Sequence, residues 1–161
     1  MKTIEYRTQD KSTWGPGPWQ DEPDKVQWRD EATGLPCLIV RNRMGAWCGY
    51  AGVSNGHPLF GESGDEIHSL DCHGGVTFTG HCQPEAETDG ICHLVEDGED
   101  DHVWWLGFDC NHYQDHAPKM RADSLNRGTD DYWSNYEVYR DMAYVTDEVR
   151  ELAKQLKEMT C

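Results

Sequence analysis

Histidine, cysteine and aspartate crowd into one short stretch, His102 to His116, which reads H-V-W-W-L-G-F-D-C-N-H-Y-Q-D-H. Asp109, Cys110, His112, Asp115 and His116 all move protons or ligate metals readily. A second candidate segment, His73-Gly74-Gly75, sets a histidine where two glycines allow close approach of a ligand to the backbone. If the strand after Gly75 lies beside the one before Asp109, the two segments converge. His73 and His112 would then act as acid and base on a phosphodiester, and Asp109 or Asp115 would fix a tautomer. Asp109 is the first choice for that orienting role. Arg41 and Thr77 would meet the phosphate, with Gly74, Gly75 and His57 as further ligand contacts.

The same residue types suit a metal. Cys72, His73, His81, Cys82, Cys92, His93, Cys110, His112 and His116 form a dense supply of soft and borderline ligands. The set chosen for zinc is Cys82, Cys92, Cys110, His112 and His116, the last two histidines being four residues apart and able to share a helical turn. The chain has no Cys-x-x-Cys pair, and its seven cysteines cannot all pair within one chain. Cysteine nucleophilic catalysis is the weaker reading, because Asp109 and Cys110 are strand neighbours that point to opposite faces.

These residues need rigid elements to hold them. Val103, Trp104, Trp105, Leu106 and Phe108 form a nearly continuous apolar run, the pattern of a strand covered on both faces. Val26 to Arg29, Leu35 to Val40 and Trp47 to Val53 read as three strands joined by short Gly-containing turns, which predicts antiparallel pairing. Val76 to Thr79 is a fourth strand, and His81-Cys82 with Cys92-His93 suit the arms of a hairpin. Residues 1–24, with Trp14-Gly-Pro-Gly-Pro-Trp19, predict an irregular lead-in to a single domain over 25–161. Ala117 to Asp131 reads as a polar excursion, and Tyr136 to Val145 suits a strand or a short mixed element. Thr146 is a good N-cap for a helix whose apolar face is Val149, Leu152, Ala153, Leu156 and Met159. The expected fold is α+β: a β-rich, mostly antiparallel sheet with a C-terminal amphipathic helix.

At 161 residues the chain is long enough for a real core, and its seven tryptophans and seven tyrosines supply bulk for one. A formal charge of −16 points away from nonspecific nucleic-acid binding, since phosphates would be repelled, and no direct nucleic-acid binding is expected. The same charge opposes an anionic ligand at long range, so a phosphate site needs local cations. Met1 to Trp19 lacks the apolar segment of a signal peptide, and no run is long enough to span a membrane. A cytoplasmic protein with reduced thiols is expected.

Met44-Gly-Ala-Trp-Cys-Gly-Tyr50, His57-Pro58, His73-Gly-Gly-Val-Thr77, Trp104-Trp-Leu-Gly-Phe-Asp-Cys-Asn-His112 and Tyr139-Arg-Asp-Met-Ala-Tyr-Val145 together resemble a group of small uncharacterised tailed-phage and prophage proteins. The resemblance spans roughly Trp14 to Leu156. It implies a phage accessory protein made in the host bacterial cytoplasm and acting on nucleotides or host defence, and it transfers no residue's role. The leading expectation is binding, extending to hydrolysis, of a small phosphorylated or nucleotide-like ligand at the His/Asp site. The alternative is a non-catalytic acidic protein that imitates DNA and blocks a basic host protein, through Asp97, Glu99, Asp100, Asp101, Asp130 and Asp131. A zinc-stabilised structural domain is the third.

Overall fold

In the computed structural model, which describes residues 2–128 and 136–160, six strands form one antiparallel sheet. They are β1 (Ile4–Tyr6), β2 (Lys25–Arg29), β3 (Pro36–Arg41), β4 (Trp47–Ser54), β5 (Phe78–His81) and β6 (Val103–Asp109), in the order β1-β2-β3-β4-β6-β5. Period-two alternation sorts the side chains between two apolar layers. Cys37, Ile39, Trp47, Ala51, Val53, Leu106 and Phe108 face one side. Leu38, Val40, Cys48, Tyr50, Val103 and Trp105 face the other. The sheet is therefore covered on both faces.

The first face is covered by helix α2 (Met142–Glu158). Val145, Val149, Leu152, Ala153 and Leu156 are buried on its inner stripe, and each Val or Leu contributes about 1.5–3 kcal/mol by leaving water. Gly49 of β4 makes the close approach possible: a Cβ there would lie 2.5 Å from Val149 Cγ2. The second face is covered by Phe78 of β5 and by the 82–95 excursion, with Cys82 and Ile91 against the core. A Cys82–Cys92 disulfide closes that excursion, and the buried Lys25 ammonium donates to the carbonyls of Ala86, Glu87, Gly90 and Cys92 at 2.6–3.0 Å.

Several local expectations are corrected. Ile4–Tyr6, in the stretch read as irregular, adds β1 to the sheet edge by pairing with β2. The Cys82 and Cys92 segments do not form hairpin arms but a disulfide-bonded loop. Helix α1 (Pro118–Asn126) occupies the polar excursion, with proline in its first turn, where the missing N–H is harmless. α2 starts at Met142, four residues before the expected Thr146, because the Asp141 side chain caps the Tyr144 N–H at 2.9 Å. Residues 136–145, read as a strand or a short mixed element, hold an isolated parallel bridge between Val138 and Asp115 and the first residues of α2.

Candidate metal centre

β5 lies beside β6, and this pairing brings the loop before β5 against the turn after β6. His73 and His112 meet there, with ring centroids 5.4 Å apart. Their common partner is Asp115. His73 Nε2 lies 2.7 Å, and His112 Nδ1 3.1 Å, from the same oxygen, Asp115 Oδ2. That oxygen also accepts the His112 backbone N–H at 3.0 Å. Asp115 is buried, whereas the His112 side chain is 38% exposed, so the cluster has a closed floor and an open side.

Both outer sides of the imidazoles face oxygen. His73 Nδ1 is 2.8 Å from the Tyr144 hydroxyl, and His112 Nε2 is 3.8 Å from Asp109 Oδ1. Arg140 Nε donates to Asp115 Oδ1 at 3.0 Å, and Glu148 accepts the His73 backbone N–H at 2.9 Å. Burial of Asp115 opposes its charge. Hydrogen bonds from His73, the His112 backbone and Arg140 outweigh that effect and hold the carboxyl below its ordinary value. An ionised carboxylate only accepts, so the ring nitrogens facing Oδ2 carry the protons. In a neutral His73 ring, Nδ1 then accepts the Tyr144 O–H.

The glycines of this segment serve the protein itself. Gly74 has φ +70°, and a Cβ there would come 2.2 Å from His112 Cε1, so the space read as room for a ligand is filled by the His112 ring. Gly75 (φ +82°) has open space around its Cα. Thr77 donates its hydroxyl to Asp109 Oδ2 at 3.1 Å, which fixes the carboxylate that faces His112.

Other expected site residues lie in different surroundings. Arg41 is buried, paired with Glu22 at 3.2 Å and Asp24 at 3.3 Å, and stacked 4.2 Å over the Trp47 ring. Its charge is thus engaged within the core, apart from the His73 and His112 cluster. His57 holds the far end of α2: Nε2 donates to the Leu156 carbonyl, and Nδ1 accepts the Leu59 N–H. Leu156 and Tyr144 are about 18 Å apart along the helix at 1.5 Å per residue. His116 stacks on Trp19 at 5.4 Å and contacts Glu137, itself paired with Arg121, so it does not join His112. Cys110 is buried, burial pushes its thiol pKa upward, and its sulfur joins neither ligand group among the described residues. Cys82 and Cys92 are bonded to each other, contrary to the expected reduced state.

Two groups of described residues offer three potential ligand atoms within 4.8 Å of one another: His73, His112 and Asp115, and Cys82, Cys92 and His93. The five residues expected to bind zinc are therefore split between places. Beside His73 lies a groove of about 310 Å³ lined by Asp71, Cys72, Glu148, Glu151 and Gln155, which is strongly acidic. Of the acidic run at 96–101, Glu99 folds back onto Arg29 at 3.1 Å, while Asp130 and Asp131 lie outside the described residues. No described helix is long and apolar enough to cross a membrane.

Sequence reasoning missed Tyr144, Arg140 and Glu148. The available signal was Asp141 as an N-cap, which would have put Tyr144 and Glu148 one turn apart on the same helix face. No protein-family model, curated protein or solved structure matches the chain.

Proposed function

We propose that His73, His112 and Asp115 hold a divalent transition-metal ion of the zinc class, and that the chain uses it to bind and hydrolyse a small phosphorylated ligand. The observation that carries this reading is the convergence of His73 Nε2 and His112 Nδ1 on the single oxygen Asp115 Oδ2. Two imidazoles and a carboxylate are a ligand set for such a cation, with an open position for water or substrate.

The surroundings support the same reading. With a metal held at the nitrogens that face Asp115, each neutral ring would take its other tautomer: His73 would carry its proton on Nδ1 and donate it to the Tyr144 hydroxyl, and His112 would carry its proton on Nε2, facing Asp109. Each ligand histidine thus has an outer oxygen partner that fixes its ring, the usual support of a metal histidine. Asp109 keeps the orienting role expected of it, through His112.

Charge makes the metal necessary for the ligand. The groove beside His73 is acidic, Arg41 is engaged in the core, and the net charge is −16. A bound dication supplies Lewis acidity and lowers the pKa of a coordinated water, while Arg140, 26% exposed, adds a cation beside it. Without metal, a phosphate ester meets only repulsion at long range.

The test uses tag-free chain stripped with chelator and titrated with Zn²⁺ against a chromophoric competitor, alongside His73→Ala and Asp115→Asn. One equivalent in the parent, weakened at least tenfold in each variant, is expected. Equal binding by all three overturns the metal assignment. The loaded chain is then assayed for phosphate release from a panel of nucleotides and aryl phosphates. Metal-dependent turnover lost in His73→Ala is expected, and no release from any member overturns the hydrolytic part.

A further inference from the structure

We propose that Cys82, Cys92 and His93 form a second metal site, closed when the two cysteines are oxidised and open to a thiophilic cation, Zn²⁺ or Cu⁺, when they are reduced. The site lies on the sheet face opposite α2, in the excursion packed on Trp105, and shares no residue with the His73 centre.

His93 carries the argument. It is 4% exposed, yet neither Nδ1 nor Nε2 has a hydrogen-bond partner among the described residues. Leaving a buried polar group unpaired is destabilising, so a histidine here is a poor way to fill space. Its ring stands edge-on to Trp105, with centroids 5.0 Å apart, and a ring nitrogen lies within 4.8 Å of both sulfurs. Trp105 Nε1 also donates to Cys82 Sγ at 3.5 Å, which holds that sulfur toward the same place. Cys92 is buried and Cys82 partly exposed, so the sulfur pair has an approach from solvent.

A disulfide is a poor ligand, whereas two thiolates and an imidazole are a soft donor set suited to Cu⁺ or Zn²⁺. A dithiol reductant supplies two electrons and two protons: the Sγ–Sγ bond breaks, two thiols form, and the reductant leaves as its own disulfide. Cation binding then forms two metal–sulfur bonds and releases the two thiol protons to water. Two thiolates leave negative charge in a covered layer, and the adjacent Lys25 ammonium, held by the Cys92 carbonyl at 2.6 Å, offsets it.

The experiment uses the full chain carrying His73→Ala and His112→Ala, so that the first centre is silent and failure of either assignment is seen separately. Protein reduced with a phosphine, and protein left oxidised, are each titrated with Zn²⁺ and with Cu⁺ against chromophoric chelators, and with Co²⁺ as a spectroscopic probe. One equivalent in the reduced form and none in the oxidised form is expected, with a sulfur-to-cobalt charge-transfer band. His93→Gln should weaken binding at least tenfold and Cys82→Ser should abolish the band, each in protein whose thermal melt shows that it is folded. The Zn²⁺ and Cu⁺ arms identify which cation is preferred. Binding of neither cation, equal binding in oxidised protein, or full binding in folded His93→Gln overturns the proposal. The wild-type chain offers the same test without substitutions, since it must take up one more equivalent when reduced than when oxidised.

Discussion

Gly74 and His112 occupy each other's space: the imidazole lies where a side chain on residue 74 would be, 2.2 Å from a Cβ built there. This contact links backbone conformation to ligand placement. Gly74→Ala must displace the ring from Asp115 and also strain a left-handed backbone, whereas Gly75→Ala suffers the strain alone. Each substitution is expected to cost about 1–2 kcal/mol in stability from the positive φ. Only Gly74→Ala should weaken metal binding, by tenfold or more. Denaturant unfolding and competitive metal titration of both variants separate the effects, and equal metal affinity would contradict the assigned role of the contact.

The Tyr144 hydroxyl is hydrogen-bonded to His73 Nδ1, so it should act through that ring. Tyr144→Phe keeps the aromatic packing of the α2 start and removes one oxygen. A 10- to 100-fold loss of metal affinity is expected from losing an outer hydrogen-bond partner, with stability changed by about 1 kcal/mol or less. Competition titration and thermal melting of the same preparation check both halves.

What could be read from the sequence follows the range of the interactions concerned. Short β-rich apolar or alternating runs between turns identified β2, β3, β4 and β6, and a conditional pairing of the strand after Gly75 with β6 was enough to bring His73 to His112. The choice between Asp109 and Asp115 was not legible, because the turn at 112–115 aims the second carboxylate back at both rings. The burial of Arg41 was not legible for a related reason: Glu22 and Asp24, which pair with it and let it be buried, lie in the lead-in read as irregular. The early start of α2 was hidden by Tyr136 to Val145, whose aromatic and β-branched residues imitate a strand until Asp141 is recognised as a cap.

Lys25 is the central pin of the disulfide-closed excursion. Its ammonium serves four carbonyls, of Ala86, Glu87, Gly90 and Cys92. Lys25→Met preserves the bulk of the stem but leaves those acceptors without their donor. Removing one side of a buried charged network costs about 3–5 kcal/mol, a fall in Tm of roughly 6–20 °C for a chain of this size. Calorimetry on oxidised protein is the direct measurement. A loss under about 1 kcal/mol would mean that the excursion is held by its apolar contacts and the disulfide alone.

Asp24, a member of neither metal group, gives the fold an acid-sensitive point. It is buried, pairs with Lys11 at 2.8 Å and Arg41 at 3.3 Å, and accepts the backbone N–H groups of Thr8 and Gln9 at 2.7 and 2.8 Å. Burial opposes its charge, but the hydrogen bonds from Lys11, Gln9 and Thr8 outweigh that and lower its pKa in the folded chain. The unfolded chain, with an aspartate pKa near about 3.9, binds a proton first as pH falls. The contribution of Asp24 is therefore complete above that value and declines as pH drops toward the folded pKa. In Asp24→Asn this titration is absent and the Arg41 charge loses a partner, so the variant should be less stable than the parent at neutral pH. The gap should then narrow as pH falls below about 4, as the parent loses what the variant already lacks. Urea unfolding of both proteins at pH 7, 5, 4 and 3 measures that gap directly. A gap that stays constant across the series would show that Asp24 supports the lead-in through shape and neutral hydrogen bonding, with its charge contributing nothing.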